Sequence, residues 1–357
     1  MSSSSKTVFW NIFAVCTLFT ICCVALIPFI YFYTQLFGSL LIVLMISWHL
    51  SSYVKYYWCQ SRIIDVNNKA VVISGCDSGF GFEIAKQLDS IGFHVFAGCL
   101  DPNLNGPQKL RELCSNRLQI FKLDVTKETC IKEAFKRVTE SELQLWSLVN
   151  NAGVCDAYFL EESSDNAAFH KVFDVNVFGV ISLTKRLLPL LRQSNGRVVN
   201  ISSVAGDMSK FAVRAFSDGL RREMSEFNVD VICVEPFVYA TNITNSDTIC
   251  NQIERNWQQT ADDVKSSYGD AFKRKMKSRV FASMKLKRDK IYEVVNSIEH
   301  AITSEQPDIY YLCCGALQRP FLRLLFIAPE FIQDFIISGS LIKLFFKLFK
   351  TKSSKKK

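Results

Sequence analysis

The sequence predicts an α/β fold built on a doubly wound, mostly parallel sheet of about seven strands. Between residues 68 and 315, short apolar runs alternate with stretches that have the spacing of amphipathic helices. Apolar runs separated by helices are typical of parallel strands that are covered on both faces. A long uncharged segment precedes this region, and an apolar and basic segment follows it. We therefore expect one large α/β domain with a membrane-associated segment at each end.

Residues 1–60 predict a membrane anchor of one or two transmembrane helices. No charged residue lies between Val8 and Trp48, and a helix needs about 20 apolar residues to span the hydrocarbon. Two spans fit this length, Val8–Tyr33 and the shorter Leu36–Val54. A cleaved signal peptide is the competing interpretation, although no small-residue cleavage site stands out. If two helices form a hairpin, the basic residues that follow them favour a cytosolic position for the main domain.

Six strands of the central domain, residues 68–315, are placed by their apolar runs. They are Ala70–Ser74, His94–Gly98, Leu118–Leu123, Leu148–Asn150, Arg197–Ile201 and Asp230–Glu235. The segments between them are long enough for the crossover helices that parallel neighbours require. No linker divides the region, so the sequence predicts one domain rather than two.

The distribution of charge argues against a nucleic-acid-binding surface on the folded domain. The net charge is +8, but seven lysines lie after Asp334, so the rest of the chain nets only +1. A nucleic-acid-binding domain would spread its basic residues over the fold. The 13 cysteines lack the paired spacing and the histidine partners of a metal site. Neither a metal ion nor a disulfide framework is expected.

Residues 316–357 predict a C-terminal amphipathic helix at the membrane surface. Between Phe335 and Lys350, lysines recur on one helical face, while phenylalanine and leucine side chains point to the opposite face. A helix with this pattern lies on an anionic membrane with its apolar side among the lipids. An ordinary solvated helix with a frayed tail is the alternative.

A glycine-rich turn follows the first predicted strand and precedes a stretch with helical spacing, Phe82–Ile91. The turn is Gly75-Cys76-Asp77-Ser78-Gly79-Phe80-Gly81. Glycines at these points let the backbone turn tightly and approach a pyrophosphate, whose charge is stabilised at the N-terminus of a helix. Glycines also serve in plain turns, but the position between a strand and a helix favours a Rossmann-type dinucleotide site.

Four further motifs follow in order along the chain. They are Leu123-Asp124-Val125-Thr126, Asn150-Asn151-Ala152-Gly153, Val175-Asn176-Val177-Phe178-Gly179 and Asn200-Ile201-Ser202-Ser203-Val204-Ala205-Gly206. Together with the Gly-x-x-x-Gly-x-Gly turn, they resemble the short-chain dehydrogenase/reductase family over residues 68–315. Within that family, the chain looks most similar to the membrane-bound hydroxysteroid and retinol dehydrogenases.

The resemblance implies an NAD-dependent oxidoreductase that acts on a hydrophobic secondary alcohol or ketone of the steroid or retinoid class. It assigns cofactor binding to Gly75, Asp77, Ser78, Gly79, Phe80, Gly81, Asp124, Val125, Asn151, Ala152, Gly153, Lys210, Pro236 and Thr241. Among the catalytic residues, Asn176 would hold a water of the proton relay, Ser203 would hydrogen-bond the substrate oxygen, and Lys210 would bind the nicotinamide ribose. For each polar residue, a satisfied turn or capping hydrogen bond is the alternative.

The sequence departs from the family at the catalytic tyrosine. In the family, a tyrosine four residues before the lysine is the general acid/base, and the lysine's charge lowers the pKa of that tyrosine. Four residues before Lys210 stands Gly206, which has no acidic proton. Tyr158 and Tyr239 lack the helical spacing to the lysine that the chemistry needs. A second departure is Phe237, where relatives have a glycine, and its ring would crowd the nicotinamide.

Three explanations compete for the missing tyrosine. In order of preference, they are a splice form or faulty gene model of an active enzyme, a catalytically dead protein that still binds dinucleotide, and an active enzyme with a different acid. Intact motifs on both sides of the gap favour the loss of one segment. With that segment gone, Ser209 is expected to cap the following helix and Lys210 to lie in its first turn.

The sequence favours NAD over NADP as the cofactor. Gly98 ends the second predicted strand, where an acidic residue often binds the ribose 2′-hydroxyl. No arginine or lysine is expected nearby to bind a 2′-phosphate, while Asp77 and Asp101 would repel one.

The other expected partners are membrane lipid and a small hydrophobic substrate similar to a steroid or a retinoid. A homodimer is possible, and the sequence does not determine whether one forms. By resemblance, the membrane is that of the endoplasmic reticulum, with a mitochondrial membrane as the alternative.

Overall fold

The computed structural model describes residues 3–59, 64–155, 166–204, 208–284, 287–315 and 318–333 of the 357-residue chain. The chain divides into two compact units, Met1–Ile63 and Ile64–Lys357. The first contains the predicted anchor and the second contains the α/β domain. The helix predicted between residues 335 and 350 lies outside the described residues.

A continuous helix, α1, runs from Ser3 to Cys59 in the first unit. Within it, the 34 residues Ala14–Ser47 have a mean hydropathy of 2.4 and are long and apolar enough to cross a membrane. At about 1.5 Å per residue they extend for roughly 50 Å, which exceeds the ~30 Å hydrocarbon core. Because the helix continues past Pro28 and Thr34, the predicted anchor segment forms one long helix and not a hairpin of two.

Hydroxyl side chains of α1 hydrogen-bond within the helix itself. Thr20 Oγ1 donates to Cys16 O at 2.8 Å, and Ser39 Oγ donates to Leu36 O at 2.9 Å. In hydrocarbon there is no water to pair with a polar group, so such internal partners are needed. The apolar side chains around them are exposed, as for Phe19 at 71%, and this surface suits a lipid environment.

The second unit is built on a seven-stranded sheet in which all neighbouring strands are parallel. The strands are β1 (Lys69–Ser74), β2 (His94–Cys99), β3 (Leu118–Lys122), β4 (Gln144–Asn150), β5 (Arg197–Ile201), β6 (Asp230–Pro236) and β7 (Tyr310–Cys313). Their order across the sheet is β3-β2-β1-β4-β5-β6-β7. The order reverses between β1 and β4, so the predicted doubly wound fold is confirmed, and the crevice at this reversal is where such folds bind ligands.

Helices cover both faces of this sheet. The α-helices in the described part of the second unit are α2 (Gly79–Ser90), α3 (Asn105–Leu113), α4 (Glu128–Glu140), α5 (Ala167–Phe173), α6 (Val180–Ser194), α7 (Met208–Met224), α8 (Ser246–Gln259), α9 (Asp262–Met284), α10 (Tyr292–Thr303) and α11 (Gln318–Ile327). A π-helical turn, Asp174–Gly179, joins α5 to α6. The segment α9 bends at Gly269, where φ is 70°.

Alternate residues of each strand enter two separate apolar layers. Val71 and Ile73 of β1 pack in the layer that contains Ile84 of α2. Ala70 and Val72 pack in the layer that contains the buried leucines of α6. Because both faces of the sheet are covered, its strands read as continuous apolar runs, as the sequence indicated.

Candidate active site

The glycine turn between β1 and α2 has a geometry that requires glycine. Gly75 and Gly79 have positive φ values of 75° and 63°, which side chains disfavour. A Cβ at Gly75 would lie 2.8 Å from Ala152 Cα, and a Cβ at Gly81 would lie 2.1 Å from Gly75 O. The residue before α2, Ser78, makes no side-chain capping hydrogen bond. The start of α2 therefore has no side-chain cap from Ser78, a geometry that is compatible with an anion site.

The residues that follow β4 hydrogen-bond to the end of β1 and to the start of this turn. Asn151 Nδ2 donates to Ser74 O at 3.0 Å and to Gly75 O at 2.9 Å. The backbone N–H groups of Asn151 and Ala152 both donate to Ser74 Oγ, at 3.1 and 3.0 Å. Asn151 thus holds the backbone at the start of the turn, whereas Ala152 holds the side chain of the serine that precedes it.

A small cleft of about 290 Å³ separates the glycine turn from the chain that follows β6. It is lined by Gly79, Glu83, Ala240, Thr241, Asn242, Asn245, Lys287 and Ile291. The Thr241 methyl carbon lies 3.6 Å from the position of a Cβ on Gly79, and Asn242 Nδ2 donates to Ser78 Oγ at 3.0 Å. The structure therefore brings Ser78, Gly79 and Thr241, three residues assigned to the cofactor by the resemblance, close together.

Asp77 reaches from the glycine turn to the end of β2. Its carboxylate accepts the backbone N–H of Leu100 at 3.0 Å and that of Asp101 at 3.3 Å. The strand ends at Cys99 rather than at Gly98. A Cβ at Gly98 would lie 2.4 Å from Leu123 Cδ2, so close packing explains the glycine.

The expectation that no basic residue lies near this strand end is wrong. Burial and then the charge of Asp77 raise the pKa of the Cys99 thiol to about 12, while the positive charge of Arg111 opposes this shift. Arg111 belongs to α3, twelve residues after Cys99 in the chain. Lys122 of β3 is the neighbour of Cys99 across the β2–β3 pair. These neighbours come from other elements, so local sequence did not reveal them.

Three other residues assigned to the cofactor have structural contacts. Asp124 Oδ1 accepts the N–H of Thr126 at 3.0 Å and its hydroxyl at 2.7 Å, which is a local turn. Val125 is buried, and a Cβ on Gly179 would come within 2.6 Å of Val125 Cγ2. The Phe80 ring packs edge-on against Tyr239, with 5.8 Å between ring centroids.

Asn176 lies in the π-helical turn and is completely buried. Its Oδ1 accepts the Val154 N–H at 2.8 Å, and its Nδ2 donates to Val154 O at 2.9 Å and to Ser209 Oγ at 3.0 Å. The amide thus joins the chain after β4 to the start of α7. The turn is π-helical, and such turns are frequent at functional sites.

Lys210, in the first turn of α7, contacts the end of β5, and Ser203, two residues after β5, lies beside the end of β6. Lys210 Nζ donates to Ile201 O at 2.8 Å and lies 3.6 Å from the position of a Cβ on Gly153. Ser203 Oγ lies 3.4 Å from Pro236 O. Asn176 Oδ1 and Lys210 Nζ therefore both lie near Gly153 after β4, whereas the Ser203 hydroxyl lies at the end of β6.

Ser209 does not cap α7, contrary to the expectation. The described part of this helix begins at Met208, so Ser209 lies inside the first turn, fully buried, and accepts a hydrogen bond from Asn176. Lys210 lies in the first turn, as predicted. Sequence reasoning also missed Ser202, whose hydroxyl donates to Lys210 O at 2.7 Å. The sequence motif assigned the catalytic role to the adjacent Ser203. The different partners of the two serine hydroxyls become apparent only in the folded structure.

Tyr239 is unsuited to replace the missing tyrosine. It is 1% exposed, and its hydroxyl donates to Glu293 Oε2 at 2.8 Å. Burial, followed by the hydrogen bond to this carboxylate, raises the pKa of Tyr239 far above its usual range. Tyr158, Gly206 and Asp207 lie outside the described residues.

The comparisons with known proteins agree with this architecture. Residues 69–250 match the sequence model of the short chain dehydrogenase family. Estradiol 17-beta-dehydrogenase 2 of Mus musculus is 35% identical over 288 residues, which are 77% of this chain and 75% of that protein. Retinol dehydrogenase 7 of Rattus norvegicus is 37% identical over 289 residues, which are 78% and 90% of the two chains.

Solved structures share the fold of the second unit. A short-chain dehydrogenase from Streptomyces avermitilis superposes with a TM-score of 0.59 at 23% identity, over 76% of this chain and 97% of that one. A 3-ketoacyl-(acyl-carrier-protein) reductase from Brucella melitensis, solved with NADH, gives a TM-score of 0.55 at 17% identity, over 71% and 99%. At these identities the likeness concerns the fold alone.

Proposed function

Because this chain belongs to the short-chain dehydrogenase/reductase family, we propose that it binds NAD and acts, with impaired turnover, on a hydrophobic secondary alcohol or ketone. The observation that carries the proposal is the glycine turn that faces Thr241 across the cleft. Gly75 and Gly81 have no room for a side chain, and no side chain caps the start of α2 at Ser78. A dinucleotide pyrophosphate fits this site, because its charge is stabilised there.

The residues near Lys210 fit the nicotinamide half of such a cofactor. When bound, NAD supplies the hydride acceptor. An ammonium has three donors, so Lys210 is able to hold Ile201 O and a ribose hydroxyl at the same time. Asn176 fixes the chain at Val154 and the start of α7, and these two segments carry the groups around the reacting atoms.

The impairment follows from the residue that replaces the general acid/base. Gly206 stands four residues before Lys210, and a glycine has no group that takes a proton from an alcohol. Acid–base catalysis contributes a factor of about 10² to 10⁴ in rate. The deep burial of Tyr239 and its bond to Glu293 remove that tyrosine as a substitute. We therefore expect turnover at background level from this chain.

The substrate class is proposed from the relatives and from the anchor. Relatives at 35% and 37% identity are named for estradiol and for retinol. Both molecules are apolar alcohols that partition into membranes, and α1 carries a segment apolar enough to hold the chain at one. A steroid- or retinoid-like alcohol or ketone is the substrate that these observations support.

The location is proposed on the same grounds. We assign the protein to the endoplasmic reticulum membrane, with the mitochondrial membrane as the alternative. Fractionation of cells against markers of both membranes decides between them.

A second candidate function is a non-catalytic, NAD-binding membrane protein. Phe237 favours it, because this residue follows Pro236 directly and its N–H donates to Cys313 O at 2.9 Å, which holds a bulky residue at the end of β6. The two functions differ in whether the genomic reading frame contains a tyrosine four residues before Lys210. If this chain is a splice form or a faulty gene model of an enzyme, the genomic reading frame contains that tyrosine. If the protein is a true binding protein, the frame lacks it.

The decisive experiment reads the transcript across the codons for residues 207–210 and assays both forms. A variant with an inserted segment that places tyrosine four residues before Lys210 is expected to oxidise estradiol, which carries a secondary alcohol, with NAD at least 10²-fold faster than the short chain. The measurement is the rate of NADH formation by the detergent-solubilised protein.

The matched control inserts the same segment with phenylalanine in place of that tyrosine. It should bind NAD as well as the tyrosine form does and turn over at background rates. Fast turnover by the short chain itself, lost on changing Tyr158, would instead identify a different acid. Absence of NAD binding in all forms would overturn the proposed cofactor.

A further inference from the structure

The beginning of α7 is held to the ends of two strands on either side of Lys210. Ser202 Oγ donates to Lys210 O at 2.7 Å, and Lys210 Nζ donates to Ile201 O at 2.8 Å. One helical turn later, Arg214 Nη1 lies 3.2 Å from Glu235 Oε1 of β6. Residues four apart are neighbours on one face of a helix. The ion pair between Arg214 and Glu235 therefore holds the face of α7 that carries Lys210.

Glu235 is only 5% exposed, although it carries a carboxylate. A buried charge is costly unless it is paired, and an apolar residue at this position would avoid that cost. Burial raises the pKa of Glu235, and the positive charge of Arg214 opposes this shift. The guanidinium of Arg214 also lies over the ring of Tyr310 in β7, 4.9 Å from its centroid. The arginine thus contacts two neighbouring strands at once, which restricts where α7 can lie.

Glu235 is also next in the chain to a residue that contacts Ser203. The carbonyl oxygen of Pro236, which follows Glu235, lies 3.4 Å from the Ser203 hydroxyl. The ion pair thus joins the segments that carry Lys210 and Ser203. We propose that Arg214 and Glu235 are positioning residues, whose ion pair sets the place of Lys210 relative to the nicotinamide ribose. This inference rests on the proposed function, because it requires a dinucleotide in the cleft with its second ribose at Lys210.

The test compares the two halves of the dinucleotide. NADH carries the ribose that Lys210 would bind, whereas ADP ends at the pyrophosphate. Both are titrated onto the full-length, detergent-solubilised protein by isothermal titration calorimetry. Arg214→Gln and Glu235→Gln should each weaken NADH binding about tenfold, because a displaced Lys210 loses its hydrogen bond to the ribose. The affinity for ADP should change by less than about twofold, since the glycine turn is untouched. A purely structural role would lower the thermal midpoint and leave the ratio of the two affinities as in the wild type.

The double variant, Arg214→Gln with Glu235→Gln, tests whether the two side chains act as a pair. It should weaken NADH binding no more than either single variant does, because each change alone already removes the ion pair. Residues that act through one shared contact are non-additive in this way. Additive losses in the double variant would overturn the inference, since they would show that the two residues act independently.

Arg137→Gln is the matched control. Arg137 Nε lies 2.9 Å from Glu133 Oε1, and its guanidinium lies over the ring of Phe121, 5.7 Å from the centroid. It repeats both kinds of contact that Arg214 makes, but it belongs to α4, which carries none of the residues assigned to the site, so the affinity ratio should stay unchanged. The inference is overturned if Arg214→Gln leaves the ratio as in the wild type, or if Arg137→Gln shifts it as much. Absence of NADH binding by the wild type contradicts the proposed function itself, whereas NADH binding with an unchanged ratio in Arg214→Gln contradicts the inference alone.

Discussion

At the scale of single residues, a network of three side chains supports the wall of the cleft that carries Thr241. Tyr239 Oη donates to Glu293 Oε2 at 2.8 Å, and Arg288 donates to the two Glu293 oxygens at 2.9 and 2.6 Å. The backbone takes part as well, since Arg288 N donates to Val238 O at 2.9 Å. Tyr239 stands two residues before Thr241 in the chain, so we expect the network to position that residue.

Glu293→Gln is expected to lower the free energy of unfolding at pH 7 by about 1–3 kcal/mol, the usual contribution of hydrogen bonds to a charged group. Burial raises the pKa of Glu293, but the hydrogen bonds from Arg288 and Tyr239 outweigh it, so the pKa is lowered on folding. A carboxylate whose pKa is lowered on folding stabilises the fold at pH values above its unfolded pKa of about 4.3. This contribution is lost as the pH falls through the pKa of the folded state. The gap in thermal midpoint between wild type and variant, measured by circular dichroism in detergent, should therefore shrink below about pH 4.

The control for this experiment is Glu140→Gln. Glu140 makes an exposed ion pair with Lys136 at 3.7 Å, and such pairs contribute about 0.5 kcal/mol or less. A Glu293→Gln gap that stays constant down to pH 3 would contradict the assignment of the network.

The sequence predicted best those residues whose identity is determined by the conformation of the backbone alone. Gly75, Gly79 and Gly81 follow from the space and the φ values that a strand–turn–helix junction requires. The partner of Ser209 could not be predicted in this way, because it depends on how α7 docks against the π-helical turn. The same holds for Asp77, whose carboxylate contacts a loop 23 residues further along the chain.

At the scale of elements, Arg197 ties β5 to the end of α10. It is 2% exposed, and its Nη1 donates to Ala301 O at 2.7 Å and to Ser304 O at 2.9 Å. Its guanidinium also stacks on Trp146, 4.6 Å from the ring centroid. Burial lowers the pKa of Arg197 to about 10, against the opposing charge of Asp230. The residue therefore stays charged at neutral pH and satisfies two helix-end carbonyls.

Arg197→Met should destabilise the second unit by about 2–4 kcal/mol, because it leaves two buried carbonyl acceptors without their donor. Methionine keeps most of the apolar stem, so the loss reports the hydrogen bonds rather than a cavity. The measurement is the thermal midpoint of the detergent-solubilised protein. Arg222→Met is the control, since Arg222 is exposed on α7 and its loss should change stability by less than about 0.5 kcal/mol. Equal effects of the two variants would contradict the role given to Arg197.

Elements were predictable where burial made them continuous apolar runs. Arg197–Ile201 was placed with its correct ends because all five of its residues are buried. The start of β4 was missed by four residues, since the buried Ser147 interrupts the apolar run of the strand. The edge strand β7 was not assigned, because it is half-exposed and begins with two tyrosines, Tyr310 and Tyr311. Its register with β6 depends on contacts between segments that are far apart in the chain, and a local sequence pattern does not contain this information.

At the scale of the whole molecule, the sequence carries two different membrane signals. Ala14–Ser47 is an apolar helix long enough to span a bilayer. The second signal, at residues 335–357, is a sequence pattern of phenylalanines and lysines that favours binding to an anionic surface. The first signal implies insertion that salt does not reverse, whereas the second implies attraction that salt screens. Fractionation of truncated forms can separate these contributions.

Deletion of residues 1–60 is expected to convert an integral membrane protein into a peripheral one. The full chain should stay with membranes after washes in high salt and in alkaline carbonate, because extraction of α1 exposes its apolar surface to water. The deleted form should still sediment with membranes at low salt, since each lysine near an anionic surface contributes about 1 kcal/mol, and 1 M salt should release it. Changing Lys343, Lys347 and Lys350 to glutamate in the deleted form should release it at low salt too. A deleted form that resists both washes would show a further insertion outside residues 1–60, and one that never sediments would contradict the membrane role of the C-terminal segment.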